Sequence, residues 1–510
     1  MKQGRRWWHV WRQAPAGGAV DEWPPYDPRP GLRYEFAPRA VLTVAMLGYA
    51  VFYGWWSLRK YDAFQAAGFD LGIFAQGLWL LSRLKAPFVT LMGLDLFGDH
   101  TSYILLALVP LYRLVPHPET LLVVQTFALA LGALPVFLLA RLVVRDSWFA
   151  LVPAVAYLLM PALGWLNLEN FHPDSFEVPL VLFALYFVAR ARWRPYLVMV
   201  LLLLTVKEDF ALVVVPLGIY VALRRNWKVG ALTVGVAAVW FPLAFLVLQP
   251  LLSGTTAGGL DIWRIPFGGF GGVLRTFVTA PWTVIAYMFT GAKLKYLLEL
   301  FAPLLFLPLL TARTLMVAPV LAFNLISTFY YQTNLHYHYT SLVIPVLTVA
   351  AILSLDRFDL QKVRRWAVVL VLLATCVSAY LWGPLPGSRA AGSLTDPKDP
   401  QAVAAAEAVA LIPPHAVVAS RDKFASHLTS RDSVYVFPTP FAANSWGDES
   451  LRGDRLPLAD AVEYVLEIPD RLTPMADAAW AKLPAEGFVE IFDKEGVVLL
   501  KRESAPSGGG

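Results

Sequence analysis

The sequence predicts an all-α polytopic membrane domain of about eleven transmembrane helices, followed by a small α/β domain at the C-terminal end. Two features of the composition lead to this prediction. Hydrophobic residues make up 57% of the 510 residues and charged residues only 15%, whereas soluble proteins carry about 25% charged residues. The apolar residues are also unevenly distributed, since they fill positions 40–382 and then become sparse. We therefore expect a membrane-embedded first part and a water-soluble last part.

These features divide the chain into four parts. We expect a cytoplasmic N-terminal tail at 1–39, a transmembrane domain at 40–383 with an outer loop at 59–120, an extracytoplasmic α/β domain at 384–503, and a disordered tail at 504–510. The tail 1–39 is basic and aromatic, which suits the cytoplasmic interface. We do not expect it to be a secretory signal peptide, because its apolar stretch begins late and 40–58 is long enough to span.

Eleven apolar segments are candidate spans. They lie at 40–58, 121–140, 148–166, 176–189, 195–206, 210–223, 229–248, 296–310, 314–330, 340–355 and 366–382. Two of them, 195–206 and 210–223, are short, and we expect them to meet as half-length helices near the outer side. We expect a Gly-rich outer loop at 253–280 and a re-entrant segment at 281–291.

A further apolar segment, 101–114, is too short to span, and the charge of the loops decides its placement. If it crossed the membrane, eight basic residues of the later loops would mostly fall outside. If it lies flat on the outer surface, all eight fall inside, as the positive-inside rule favours. The eight are Arg141, Arg145, Arg190, Arg192, Arg194, Arg224, Arg225 and Lys228. The odd number of spans then places the N-terminus in the cytoplasm and the C-terminal domain outside.

The last part of the chain has the pattern of a small α/β domain. Residues 402–420 predict a helix, a proline turn and a buried strand, and 433–438 and 462–468 predict two more strands. Residues 488–502 predict a hairpin that turns at Lys494-Glu495-Gly496. The single cysteine, Cys376, lies in an apolar run, so no intramolecular disulfide is expected.

Five clusters of polar residues fall on the outer side in this topology, and this convergence indicates a cavity open to the outer leaflet. Ionisable groups at membrane depth are costly and indicate function by default. The clusters are Asp70 with Gln76, Asp99 with His100, Glu169 with His172 and Asp174, Lys207 with Glu208 and Asp209, and His336 with His338.

Each cluster also has a purely structural alternative. Asp70 and the Asp99-His100 pair are placed to cap helices, and His172-Pro173-Asp174 is typical of a turn that starts a helix. The charges of 207–209 can neutralise each other, and His336 and His338 can be interfacial aromatic residues.

Two further kinds of site stay open. Lys293 and Lys295, on the outer side next to a span, can hold a lipid phosphate or simply anchor the helix at the headgroups. The His and Asp residues are compatible with a divalent metal, although their spacing fits no compact metal motif. We expect no other cofactor.

The sequence resembles two groups of known proteins. The residues around Phe69-Asp70-Leu71-Gly72, the Gly98–His100 triplet, Phe171–Asp174 and Lys207–Asp209 resemble a bacterial membrane-protein family known only as a domain of unknown function. The architecture also resembles the GT-C superfamily of glycosyltransferases, which includes protein O-mannosyltransferases and the aminoarabinose transferase of lipid A. Those enzymes carry a catalytic acid in the first outer loop, helices along the membrane, and a second acid in the next outer loop.

Asp70, segment 101–114 and Asp174 occupy these three positions, although many relatives carry an Asp-Glu pair where Asp70 is followed by Leu71. The resemblance implies sugar transfer from a polyprenyl-phosphate donor to a glycan, lipid or protein acceptor at the outer face of the bacterial cytoplasmic membrane. Asp70 would be the general base, oriented with the acceptor by His100, His172 and Asp174. Substrate binding would involve Gln76, Asp99, Lys207, Glu208, Asp209, Lys293, Lys295, His336 and His338.

Two other functions remain open at this point. One is a transporter or flippase of a lipid-linked saccharide, which needs polar groups along a continuous path. The other is a non-catalytic envelope scaffold whose outer domain binds a partner. The net charge of +5 reflects Arg and Lys in short loops, so we expect no nucleic-acid partner.

Overall fold

The computed structural model describes residues 32–254, 264–391 and 395–503. The predicted disordered tail 504–510, most of the predicted cytoplasmic tail 1–39 and part of the predicted outer loop 253–280 lie outside the described residues.

Helices dominate the chain up to residue 382. The first half contains α1 (Leu32–Asp62), α2 (Ile73–Ser82), α3 (Leu96–Asp99), α4 (Val109–Leu114), α5 (Glu119–Leu131), α6 (Ala133–Val144), α7 (Ser147–Leu158), α8 (Pro161–Glu169), α9 (Glu177–Ala189), α10 (Trp193–Leu204) and α11 (Ala211–Arg224). The second half contains α12 (Trp227–Leu243), α13 (Gln249–Ser253), α14 (Gly269–Thr279), α15 (Pro281–Met288), α16 (Gly291–Phe301), α17 (Ala318–Ile326), α18 (Val343–Ser354) and α19 (Gln361–Trp382). A short antiparallel pair, β1 (Phe88–Val89) and β2 (Leu94–Asp95), lies in the first loop.

Several of these helices are long enough to cross a membrane. Within the described ranges, five continuous helical stretches have the required length and apolar character: Phe36–Asp62, Glu119–Val144, Trp227–Ser253, His338–Arg357 and Gln361–Trp382. The kinked pair α7 and α8, bent by 46°, makes a sixth if it is counted as one span. The other apolar helices are shorter.

The segment 296–330 differs from the two spans that the sequence predicts there. Helix α16 ends at Phe301, and short 3-10 turns lead to α17. Pro303 and Pro308 lie in these turns and cannot donate a backbone hydrogen bond, which ends the helix early. The predicted Gly-rich loop at 253–280 also differs, since its last part forms α14.

Basic residues gather at one end of the bundle. The Arg365 guanidinium lies 2.8 Å from the Asp146 carboxylate, and Arg364 donates to the Val143 carbonyl at 3.1 Å. Arg225 donates to the carbonyl of Ala189 at 3.2 Å. The first two contacts join the α18–α19 connection to the α6–α7 connection. The third joins the α11–α12 connection to the α9–α10 connection. The chain segments that hold the predicted polar clusters lie at the other ends of the same helices.

The segment predicted to lie flat, 101–114, forms a 3-10 helix at Tyr103–Leu108 that continues into α4. Leu105 and Tyr112 are fully buried, whereas Leu106, Leu111 and Leu114 are exposed. One side of the segment therefore packs on the protein and the other presents apolar side chains outward, as an interfacial helix does.

The C-terminal part forms the predicted small α/β domain. It contains α20 (Pro400–Ala410), β3 (Val418–Ser420), α21 (Asp422–Ala425), β4 (Val434–Val436), β5 (Tyr464–Glu467), α22 (Pro474–Trp480), β6 (Phe488–Lys494) and β7 (Val497–Arg502). The strand order is β4-β3-β5-β7-β6, with the first three strands parallel. Strands β6 and β7 form the predicted hairpin. Its turn residues Glu495 and Gly496 both have positive φ, which glycine favours.

The first loop and the C-terminal domain share one hydrophobic core. The imidazole of His427 stacks on the rings of Tyr61 and Phe64, each at 3.9 Å between centroids. Gln76 is fully buried in the same contact, where its amide donates to the Thr90 hydroxyl at 2.9 Å. The domain is therefore packed onto the loop that carries Asp70.

Candidate active site

Asp70 lies in a single π-helical turn, Gly68–Gly72, between α1 and α2. Its Oδ2 atom accepts a hydrogen bond from Asn170 Nδ2 at 2.9 Å, and its Oδ1 atom lies 3.6 Å from His172 Nε2. The Asn170 Oδ1 atom also accepts from the backbone N–H of Ala67 at 3.1 Å. The Asp70 side chain remains 34% exposed. Its carboxylate is thus both oriented and accessible.

The C-terminal domain holds the same turn from the opposite side. The Asp422 Oδ1 atom accepts the backbone N–H of Phe69 at 2.8 Å. Gly68 is in such close contact with this domain that a Cβ atom would lie 2.5 Å from the Asp422 carbonyl oxygen and 2.8 Å from Ala425 Cβ. Two distant parts of the chain, one around Asn170 and one around Asp422, therefore fix the position of Asp70.

Glu169, His172 and His338 meet beside Asp70. The His338 Nδ1 atom lies 3.3 Å from Glu169 Oε1, and the imidazoles of His172 and His338 stack with centroids 3.9 Å apart. Gln125 fixes the backbone here, because its Nε2 donates to the Asn170 carbonyl at 2.7 Å and its Oε1 accepts from the His172 N–H at 3.0 Å.

Lys207 lies between two carboxylates next to this cluster. Its ammonium is 3.4 Å from Asp174 Oδ1 and 3.8 Å from Asp209 Oδ2. Burial disfavours the charged lysine, but the two carboxylates outweigh it and raise the pKa of Lys207 well above its ordinary value. Burial also raises the pKa of Asp209, to about 6. Burial opposes the carboxylate of Asp174 as well, but the charge of Lys207 and those of the nearby histidines together hold its pKa well below the ordinary value.

Glu208 points to the other side of the same turn and pairs with His100. The His100 Nδ1 atom lies 2.8 Å from Glu208 Oε1, and the Thr101 N–H donates to Oε2 at 3.2 Å. Burial opposes the imidazolium, but Asp99 and Glu208 raise the pKa of His100 to about 9. Burial likewise opposes the carboxylate, but His100 lowers the pKa of Glu208 to about 2. The pair is therefore ionised near neutral pH.

The structure gathers most of the predicted site residues at one end of the bundle: Asp70, Asp99, His100, His172, Asp174, Lys207, Glu208, Asp209 and His338. Four others are engaged elsewhere. Gln76 is buried against the C-terminal domain, and His336 is exposed with its ring 3.9 Å from that of Trp165. Lys293 donates to the carbonyls of Leu325 and Tyr287 at 2.5 and 3.2 Å. Lys295 is exposed and lies 3.4 Å from Glu299.

Sequence reasoning missed several residues that shape the site. Asn170 lies inside the predicted cluster of Glu169, His172 and Asp174, so that polar segment was the available signal. Lys60 closes the end of α8 by donating to the Leu168 and Glu169 carbonyls at 2.7 and 2.5 Å. Asp422 had no sequence signal, because it comes from a distant domain and acts through a backbone N–H.

The helical bundle, the acid after its first span and the C-terminal domain over that loop define a membrane protein with the GT-C fold. The fold matches that of ArnT from Cupriavidus metallidurans bound to undecaprenyl phosphate, with a TM-score of 0.53 at 14% identity over 92% of this chain and 99% of that chain. The apo state of the same protein matches with a TM-score of 0.52 at 14% identity, over 91% and 98% of the two chains.

The Archaeoglobus fulgidus oligosaccharyltransferase in its apo form is more distant, with a TM-score of 0.38 at 13% identity over 88% of this chain and 74% of that chain. The chain belongs to the predicted membrane protein family DUF2079, whose profile matches residues 60–467. No curated protein matches the chain. The resemblances to a family of unknown function and to the GT-C superfamily are thereby confirmed, at the level of family and fold.

Proposed function

We propose that this protein is an integral-membrane glycosyltransferase that moves a sugar from a polyprenyl-phosphate donor to an acceptor hydroxyl. One observation carries the proposal. The Asp70 carboxylate is held by Asn170 and faces His172, yet stays accessible, at the position after the first span of a GT-C fold. A structural helix cap would bond its carboxylate to backbone N–H groups of its own turn, whereas the Asp70 carboxylate bonds to Asn170 and faces His172, both from another segment of the chain.

In the proposed reaction, Asp70 accepts the proton of the acceptor hydroxyl. The acceptor oxygen then attacks the anomeric carbon of the sugar, and the bond from that carbon to the phosphate oxygen breaks. Polyprenyl phosphate leaves with the electron pair of this bond. A positioned base of this kind contributes about 10²–10⁴-fold to the rate.

Two features near Asp70 support this class of donor. Lys207 is a buried cation and would attract a phosphate. The exposed leucines of the Tyr103–Leu108 segment and α4 favour contact with an isoprenoid chain. This segment lies close to Lys207, because the Ile104 N–H donates to the Thr205 carbonyl at 2.8 Å. The binding of undecaprenyl phosphate by ArnT, a protein of the same fold, supports this donor class.

The sidedness follows from the basic end of the bundle. Arginines and lysines of short loops are retained in the cytoplasm. The rule therefore supports an orientation in which the polar cluster and the C-terminal domain lie at the outer face of the cytoplasmic membrane and the N-terminus lies inside.

The proposal is tested with membranes that contain the wild-type chain, Asp70→Asn or Asp62→Asn. The membranes, which also supply the acceptor, are incubated with a panel of undecaprenyl-phosphate-linked hexoses and pentoses, and released undecaprenyl phosphate is measured by mass spectrometry. We expect release with the wild type, a loss of about 10²–10⁴-fold for Asp70→Asn, and full activity for Asp62→Asn, since Asp62 is an exposed acid at the end of α1. Equal release by Asp70→Asn and the wild type would refute the base assignment.

A further inference from the structure

We propose that Glu169, His172 and His338 form a binding site for a divalent transition-metal ion of the Zn²⁺ class. The three side chains come from different parts of the fold. Glu169 ends α8, His172 precedes the 3-10 turn Pro173–Phe176, and His338 begins a turn ahead of α18. One ligand atom from each lies within 4.8 Å of the other two. In a tetrahedral zinc site these separations are about 3.4 Å, so the ligand atoms stand at most about 1.4 Å further apart than a bound ion would hold them.

Unpaired buried atoms are the second observation. His172 is 6% exposed and its Nδ1 atom has no hydrogen-bond partner, and the buried Oε2 atom of Glu169 has none either. Buried polar atoms almost always have a hydrogen-bond partner, and a bound ion is one of the few explanations when they do not. The hydrogen bond between His338 and Glu169 satisfies only one oxygen of the carboxylate. A bound cation would give both His172 Nδ1 and Glu169 Oε2 a partner.

The surroundings of His172 fit a metal ligand. Its other nitrogen, Nε2, lies 3.6 Å from Asp70 Oδ1. Histidine ligands usually direct their second nitrogen at a carboxylate, which orients the ring and raises its basicity. Asp70 would therefore orient the ligand His172 through one oxygen while its exposed carboxylate remains available to a substrate.

The basic residues nearby leave the Glu169 carboxylate available to a cation. Its side chain is only 9% exposed. Lys207 is paired with Asp174, and Lys60 directs its ammonium at the backbone carbonyls of Leu168 and Glu169. Neither lysine forms an ion pair with the Glu169 carboxylate.

The donor set selects the kind of ion. Two imidazoles and one carboxylate suit Zn²⁺ and similar borderline ions, whereas Mg²⁺ and Ca²⁺ prefer oxygen ligands. Three protein ligands leave a fourth position for water. If the proposed function holds, a phosphate or sugar oxygen can take that position, but metal binding itself does not depend on it.

The test uses the full-length chain in detergent, stripped with a chelator and then supplied with Zn²⁺, Mn²⁺ or Mg²⁺. Bound metal is counted by mass spectrometry after desalting, and thermal midpoints are recorded. We expect about one Zn²⁺ per chain with a raised midpoint, little retained Mg²⁺, and loss of Zn²⁺ from both His338→Ala and Glu169→Gln. The control His336→Ala should retain Zn²⁺, because His336 lies outside the cluster.

A second readout protects the test against a variant that fails to fold. Co²⁺ added to the stripped wild-type chain should give the visible absorption of a four-coordinate nitrogen and oxygen site, and Zn²⁺ should abolish it. A wild-type chain that retains no Zn²⁺, or Zn²⁺ retained equally by His338→Ala, Glu169→Gln and the wild type, would overturn the proposal. Because neither readout involves sugar transfer, a failure here is distinct from a failure of the transferase assay.

Discussion

At the scale of single residues, Asp70 illustrates what the sequence can and cannot predict. An acid in an otherwise apolar segment is costly near a membrane, so its type and place alone indicated a site. Its partners could not be predicted in the same way. Asn170 is 100 residues away and Asp422 is further still, and each contributes a single hydrogen bond. Pairings of this kind depend on the tertiary fold, which a local pattern does not encode.

Asn170→Ala should lower sugar transfer by about 100-fold, because a displacement near 1 Å at a reacting group has an effect of this size. The substitution removes the hydrogen bonds to Asp70 and to the Ala67 N–H. Undecaprenyl phosphate release by purified membranes measures the effect. Asn444→Ala is the control, since Asn444 is an exposed residue of the C-terminal domain, and it should retain activity. A fully active Asn170→Ala would show that Asp70 needs no such support.

The ion pair of His100 and Glu208 predicts a pH dependence of stability. The pKa of His100 is raised from 6.5 to about 9 in the folded protein, so its contribution is complete below pH 6.5 and is lost as the pH rises toward 9. The pKa of Glu208 is lowered to about 2, so its contribution is present above its ordinary value of 4.5 and is lost only in acid.

This dependence is measured by comparing thermal midpoints of the wild type and His100→Gln in detergent. The thermal midpoint of the wild type should be higher than that of the variant at about pH 6, and this difference should shrink by about pH 9.5. The exposed residue His117 provides the control, and the gap between wild type and His117→Gln should not change with pH in this way. A gap for His100→Gln that is constant over this range would contradict the ionised pair.

At the scale of elements, hydrophobic pattern predicted the C-terminal hairpin, the strands and the long spans well. The length of each apolar segment and the residues of its turns determine those elements without help from distant parts of the chain. The segment 296–330 was less predictable, because its apolar composition resembles two spans while its prolines divide it into short turns. The contact between the first loop and the C-terminal domain was not predictable either. This contact depends on how closely the two surfaces fit, most clearly at Gly68, where a side chain would overlap the C-terminal domain.

Gly68→Ala should destabilise this contact by about 1–3 kcal/mol, since the added methyl group overlaps the Asp422 backbone and Ala425. It should also lower transfer activity, because the turn that holds Asp70 must shift. Thermal midpoints and transfer rates measure the two effects. Gly54→Ala in α1 is the matched control, since its added Cβ would have no atom within 4 Å. Equal behaviour of the two variants would mean that the domain contact does not position Asp70.

At the scale of the whole molecule, the basic end and the polar end of the bundle define an orientation. We proposed from the positive-inside rule that the basic end lies in the cytoplasm. We expect a single cysteine introduced by Lys398→Cys, near the C-terminal domain, to react with a membrane-impermeant maleimide in intact cells. A cysteine introduced by Arg224→Cys at the basic end should react only after lysis. Both positions are exposed, and Cys376 is first replaced by alanine. The reverse labelling pattern would contradict the proposed orientation.

The central claim is that the cavity around Asp70 and Lys207 receives a polyprenyl phosphate. A density map of the protein in lipid nanodiscs with undecaprenyl phosphate tests this most directly. We expect phosphate density beside Lys207 and Asp70. We also expect isoprenoid density along the exposed leucines of α4 and of the Tyr103–Leu108 segment. Lipid phosphate bound instead at the basic end of the bundle, with the cavity around Asp70 unchanged, would contradict it.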